Sequence, residues 1–146
     1  MAHIRVSIDL AVPVDAVWRE AADLASHAEW MADAESIEFL TDQRSGVGVG
    51  MDVRTVVGPF RLTDSMTVTE WSDRSTIGVR HEGLVTGEGN FRLSPIAGGT
   101  RFTWEEELEF PLRLGGPVTA FFAKPVLRWI WRRNLRGLQA RLVSGP

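Results

Sequence analysis

The chain has 146 residues, 44% apolar and 24% charged, with net charge −3, no cysteine, no tyrosine, six tryptophans and seven phenylalanines. A chain of this length buries roughly two-thirds of its unfolded surface, enough for a core or an internal pocket without metals or disulfides, and one domain over residues 1–146 is expected. Zero cysteine excludes a disulfide scaffold, a thiol nucleophile and cysteine-ligated zinc or iron–sulfur centres, and zero tyrosine removes the phenolic acid.

The opening MAHIRVSIDL lacks a basic stretch followed by a long apolar run, so no secretory signal is predicted and a cytoplasmic location is expected. Residues 3–11 alternate, with Ile4, Val6, Ile8 and Leu10 on one face, which predicts a half-buried strand ended by Pro13. From Val14 the apolar spacing turns helical through Val17, Trp18, Ala21 and Ala25, with Asp15 and Glu20 in the acidic N-terminal half. Residues 26–35 predict a second short helix anchored by Trp30.

Strands follow at Ser36–Leu40, Met51–Val57, Phe60–Glu70, Ser75–Glu82, Val85–Ser94 and Arg101–Phe110, about seven with the first. Short turn-forming separators predict antiparallel pairing of neighbours. Gly46, Gly48 and Gly50 precede a strand instead of a helix, so they read as a hairpin loop and not a phosphate cradle. Gly87 and Gly89 read as relief of curvature in a bent strand. From Pro117 to about Val143 the pattern is helical, with a break predicted near Pro125. The apolar run Pro117 to Trp131 is interrupted by Lys124 and Arg128 and is shorter than the roughly 20 residues of a membrane span.

This order of strand, two helices, six strands and a long helix resembles the helix-grip fold of the START-like (SRPBCC) superfamily, especially its polyketide cyclase/dehydrase branch. The matching words are PVDAVWREAADL after the opening strand, Glu29-Trp30, SIEFL before a Gly-rich turn, VTEW at 68–71 and GGTRFTW at 98–104. The resemblance covers nearly the whole chain. It implies an α+β fold: a curved antiparallel sheet of about seven strands wraps a long C-terminal helix, with two short helices between strands 1 and 2. It also implies a cavity for lipids, hormones, polyketides or other apolar molecules, and it leaves function open, because such folds serve both enzymes and binders.

Strand alternation selects the cavity-facing side chains independently. On the last strand Phe102, Trp104, Leu108 and Phe110 share a face with Glu106. His81 shares a face with Ile77 and Val79, and Asp64 with Phe60, Leu62, Met66 and Val68, while Phe91 and Leu93 continue the same face. Three ionisable groups, Asp64, His81 and Glu106, thus fall on faces expected to be dry, where a charge must be paired, neutralised or beside a cavity. A polar cluster in an apolar cup has the character of a ligand pocket, with Phe91, Phe102, Trp104 and Trp131 as walls. Structural pairing of the three is the competing expectation. His3 and His27 are expected to be solvated. No metal-ligand spacing, nucleophile elbow or Ser/His/Asp order is present, so no metal, cofactor or nucleophilic site is predicted.

The net charge divides unevenly. Residues 1–112 carry 9 Arg and 19 Asp plus Glu, a charge of −10, whereas residues 113–146 carry 7 Lys plus Arg and no acid, +7. On the last helix Leu127, Trp131, Leu135, Leu138 and Leu142 form a core seam, while Val126, Trp129 and Ile130 lie opposite, with arginines between. One expectation is that the sheet buries both faces while the arginines meet Glu105, Glu107 and Glu109. Others are a homodimer or a peripheral membrane contact through Arg128, Trp129, Ile130, Arg132 and Arg133, with Phe121 and Phe122 at a cavity entrance. Nucleic acid is not an expected partner of so acidic a chain. These readings converge on binding of an apolar or amphipathic small molecule, a lipid, isoprenoid or polyketide-like compound, between sheet and helix. The alternatives are a polyketide cyclase or dehydratase using general acid–base catalysis at His81, and a membrane-associated or partner-binding accessory protein.

Overall fold

The alternating opening segment forms strand β1 (Ala2–Leu10), with Ala2, Ile4, Val6 and Leu10 in the core, in a computed structural model that describes residues 2–144. Helix α1 (Val14–Ala22) starts at Pro13, whose carbonyl accepts from the amides of Ala16 and Val17 at 3.0 and 3.3 Å. A proline costs nothing there, because the first amides of a helix lack internal partners. The helix buries Val17, Trp18 and Ala21. A 3-10 turn (Leu24–Ser26) leads into α2 (His27–Trp30), and Trp30 is buried.

Helix α2 is shorter than the spacing predicts. The Ala32 amide, which would continue it, donates to Asn134 Oδ1 at 2.9 Å, and Asn134 Nδ2 donates to Asp33 Oδ1 at 2.7 Å. A tertiary partner therefore replaces the helical one, and the chain enters β2 (Ala34–Phe39). The remaining strands are β3 (Gly50–Val57), β4 (Phe60–Ser72), β5 (Thr76–Glu82), β6 (Thr86–Ile96) and β7 (Gly99–Glu109), close to the predicted spans. They form one antiparallel sheet in the order β1-β7-β6-β5-β4-β3-β2. Its edges are β1 and β2, so α1 and α2 carry the chain from one edge to the other. Register shifts between Ala34 and Ser36 in the edge strand β2 and between Val68 and Glu70 in the interior strand β4 interrupt the ladder.

A second 3-10 turn (Leu112–Leu114) and a left-handed Gly115 precede α3 (Gly116–Ser144). Pro125 lies inside this helix, which continues past it, so the predicted break is absent. Burial of the seam outweighs the single hydrogen bond that proline removes. Trp131, Leu135 and Leu138 are buried, Leu127 and Leu142 half-buried, and Trp131 stacks on Trp104 of β7 with ring centroids 4.7 Å apart and planes at 12°. Leu135 and Leu138 each contribute about 1.5–3 kcal/mol by burial. Gly137 faces the end of α2, where a Cβ would stand 2.9 Å from the Trp30 carbonyl oxygen. Arg141 donates to Glu20 and Glu29.

The sheet does not bury both faces of α3. The helix packs on β1, β7 and α2, toward one edge of the sheet, and leaves Val126 and Trp129 exposed. Nor do its other cations meet the β7 acids: Glu105 is taken by His3 and Arg92 on the outer surface. Among the described residues, Lys124, Arg128, Arg132, Arg133 and Arg136 lie within ion-pair distance of no carboxylate. This is the helix-grip arrangement, with the grip off-centre. No helix among the described residues is long and apolar enough to cross a membrane.

Candidate functional site

Asp64, His81 and Glu106 come from three different strands and meet. His81 on β5 lies opposite Met66 of β4 and Gly87 of β6, whereas Glu106 on β7 lies opposite Gly89 of β6. The Glu106 side chain must therefore cross β6 to reach His81. It passes over Gly89, where a Cβ would come within 2.2 Å of Glu106 Oε1. Gly87 adopts φ +136°, and a Cβ there would stand 1.9 Å from the Glu107 carbonyl oxygen. These glycines thus permit close approach, a role that curvature alone does not describe.

His81 Nδ1–H donates to both Asp64 oxygens at 3.0 Å, and Nε2–H donates to Glu106 Oε1. His81 and Glu106 are buried, while the Asp64 side chain keeps 21% of its surface exposed. Burial is the largest single influence on the imidazole and works against its charge. The Glu106 charge, hydrogen bonds to both carboxylates and the Asp64 charge together outweigh it, and the pKa is pushed up to about 10. At neutral pH the ring is an imidazolium with both N–H groups engaged. It has no lone pair with which to accept a proton. With both carboxylates ionised the triad carries a net charge of −1, and its remaining capacity is for accepting hydrogen bonds.

A third carboxyl, that of Asp33, feels the charge of the triad. Burial raises the Asp33 carboxyl above the usual carboxylate range, the hydrogen bond from Asn134 pulls it down, and the charge on Asp64 adds to the rise. Sequence reasoning does not single out Asn134 or Asp33. The signal for Asn134 is a polar residue inside the apolar seam of α3, between Trp131 and Leu138, where an amide needs partners.

The aromatic residues expected to wall a cavity pack against one another. Phe91 meets Phe102 and Trp104 at 5.0 and 5.1 Å between centroids, and Trp30 lies edge-on to Phe102 and Trp104 at 6.4 and 6.5 Å. Phe102, Trp104 and Trp131 are fully packed, and Phe91 is half-buried. The buried Trp30 Nε1 has no hydrogen-bond acceptor among the described residues. His27 is buried, contrary to expectation: its Nε2–H donates to the Ala21 carbonyl at 2.8 Å, its ring lies between Trp30 and Phe91, and desolvation holds its pKa below the usual value. Phe60, predicted to face inward, is 70% exposed at the tip of the β3–β4 hairpin.

Beyond the edge of α3 the inner face of the sheet is less covered. Leu62, Met66, Val79 and Phe91 are half-buried there, on the faces that carry Asp64 and His81. A cleft of about 310 Å³ opens between Leu84, Thr86, Glu109, Phe110, Pro111 and Leu112. Another of about 180 Å³ lies between β1 and α3, at Ser7, Ile8, Arg132, Leu135 and Arg136. Neither is lined by the triad or the aromatic cluster.

Comparison with known proteins agrees with this architecture. A family model described as "Polyketide cyclase / dehydrase and lipid transport" matches residues 1–143. The protein TTHA0849 of Thermus thermophilus superposes with a TM-score of 0.84 at 20% identity over 97% of both chains. A START superfamily protein of Mycobacterium smegmatis gives 0.78 at 13% identity over 99% of both. The Zhui aromatase/cyclase of a Streptomyces species gives 0.68 at 17% identity, covering 97% of this chain and 91% of that one. No curated protein sequence matches the chain. With residues 1–143 matched by its model and the helix-grip fold shared with these structures, the chain belongs to the polyketide cyclase/dehydrase and lipid transport family.

Proposed function

We infer that this chain binds an apolar or amphipathic small molecule against the inner faces of β4, β5 and β6, on the side that α3 leaves uncovered, with the ligand's polar end at Asp64. The observation that carries this reading is the Asp64–His81–Glu106 triad, set on the apolar face of the sheet and reaching the surface only through Asp64. Leu62, Met66, Val79 and Phe91 supply the apolar contact, and Phe102 and Trp104, the latter stacked on Trp131, pack beside Phe91 on the same face. Because both imidazolium N–H groups are engaged, what the triad offers a ligand is carboxylate lone pairs in a site of net negative charge. That favours a hydroxyl or ammonium on the ligand and disfavours a carboxylate.

The enzyme alternative draws less support from this geometry. Enolisation of a polyketide chain needs a base, and the doubly bonded imidazolium of His81 has no lone pair at neutral pH. The test is native mass spectrometry of freshly purified protein, followed by titration with a long-chain alcohol, amine and fatty acid of equal chain length. A co-purifying apolar compound, and alcohol or amine binding that weakens in Asp64→Asn, support the reading. No bound compound and no affinity for any of the three overturns it.

A further inference from the structure

Beyond ligand binding, and independently of it, we propose that the outer face of α3 and the neighbouring hairpin tip form a docking surface for a bilayer bearing anionic phospholipid. The register of the sheet brings several apolar groups to one end of the molecule. Phe60 starts β4 beyond the point where β5 ends, Thr86 pairs with Glu109 at the end of β7, and the Leu112 turn and the start of α3 follow directly. Phe60 is 70%, Leu112 85%, Phe121 72% and Phe122 67% exposed. The 310 Å³ cleft beside Leu112 opens at this same end.

At about 100° per residue, Val118, Phe122, Val126 and Trp129 fall within an arc of about 80° on the side of α3 away from the seam. All four are exposed. Arg133 and Arg136 continue this line toward the C-terminus, and the Arg133 guanidinium lies over the Trp129 ring, 5.6 Å from its centroid. One face therefore changes along its length from apolar to cationic, while the seam behind it stays fixed to the sheet. An aromatic and aliphatic half that enters the acyl boundary, followed by arginines at the height of the phosphates, is the pattern of an interfacial helix.

Charge complementarity selects the occupant. Residues 113–146 contain no acidic side chain, and Arg128, Arg132, Arg133 and Arg136 have no carboxylate partner among the described residues. A two-fold contact of this face with a second copy would offer those arginines no carboxylate side chain from residues 113–146. An anionic lipid surface supplies a phosphate for each of them and an apolar phase for Phe122 and Trp129.

The experiment is flotation of the full chain with phosphatidylcholine vesicles, with and without phosphatidylglycerol, at low and high salt. Binding is expected only with phosphatidylglycerol and is expected to weaken as salt rises. Phe122→Ser with Trp129→Ser, and separately Arg132→Glu with Arg133→Glu, are each expected to lower the bound fraction roughly tenfold or more. Thermal melting is expected to be unchanged, because all four side chains are exposed. No binding to phosphatidylglycerol vesicles at low salt overturns the proposal. So does sedimentation as a dimer that the Trp129 variant dissociates, because the face would then be occupied by a second copy.

Discussion

The two halves of α3 share one helix and treat their neighbours differently. From Trp131 onward the helix is fixed by a stacked tryptophan, two buried leucines, a glycine against the Trp30 carbonyl, the Asn134 bridge to Ala32 and Asp33, and Arg141 on two glutamates. Before Trp131 the helix carries Val118, Phe121, Phe122, Val126 and Trp129 into solvent. The same division runs through the sheet: β1 and β7 lie under the fixed half, and β4 and β5 face the uncovered side. Close packing and exposed apolar surface therefore fall in different regions, and the Asp64–His81–Glu106 triad spans the line between them.

The strongest way to break this division is to remove the group at its centre. His81→Leu leaves two carboxylates facing each other with no cation, and a loss of about 3–5 kcal/mol is expected in urea unfolding at neutral pH. The pH dependence gives the sign. The folded-state pKa of His81, about 10, lies above the ordinary 6.5. Its stabilisation is thus fully present below about pH 6.5 and is lost as pH rises toward 10. Wild-type stability is expected to fall across that window, while His81→Leu is flat; parallel curves would mean that the imidazole is neutral.

On the fixed side, Leu138→Ala is expected to cost about 2–5 kcal/mol, because the side chain is fully buried and its removal leaves a cavity. Gly89→Ala tests the triad from the strand it crosses. The new methyl displaces Glu106, with an expected loss of about 1–3 kcal/mol and a less alkaline His81 transition by NMR titration. On the uncovered side, Phe122→Ala is expected to change stability by no more than about 0.5 kcal/mol. A cost comparable with that of Leu138→Ala would mean that the N-terminal half is packed, and the division would fail.

Period-2 and period-3.6 patterns are enough to read the strands and the α3 seam, because burial on one face leaves that mark in any sequence. Strand parity also brings Asp64, His81 and Glu106 to one face. It cannot show that they touch, since Glu106 and His81 sit on non-adjacent strands and meet only across a glycine. Spacing overestimates helix α2 and misses the Asn134 bridge for one reason: the partner of the Ala32 amide lies 102 residues away. Local spacing likewise cannot reveal that α3 lies toward one edge of the sheet. The predicted burial of both its faces fails there, and with it the expected pairing of its arginines with the β7 acids.

The bare backbone at Gly89 carries a constraint on inheritance. A chain with any side chain at this position cannot lay a glutamate across β6 as this one does. A change at position 89 is therefore expected only where the glutamate at 106 is also lost. In relatives too distant for overall identity to be informative, a glycine opposite a glutamate on the next strand, with a histidine one strand further on, would mark those that kept the triad.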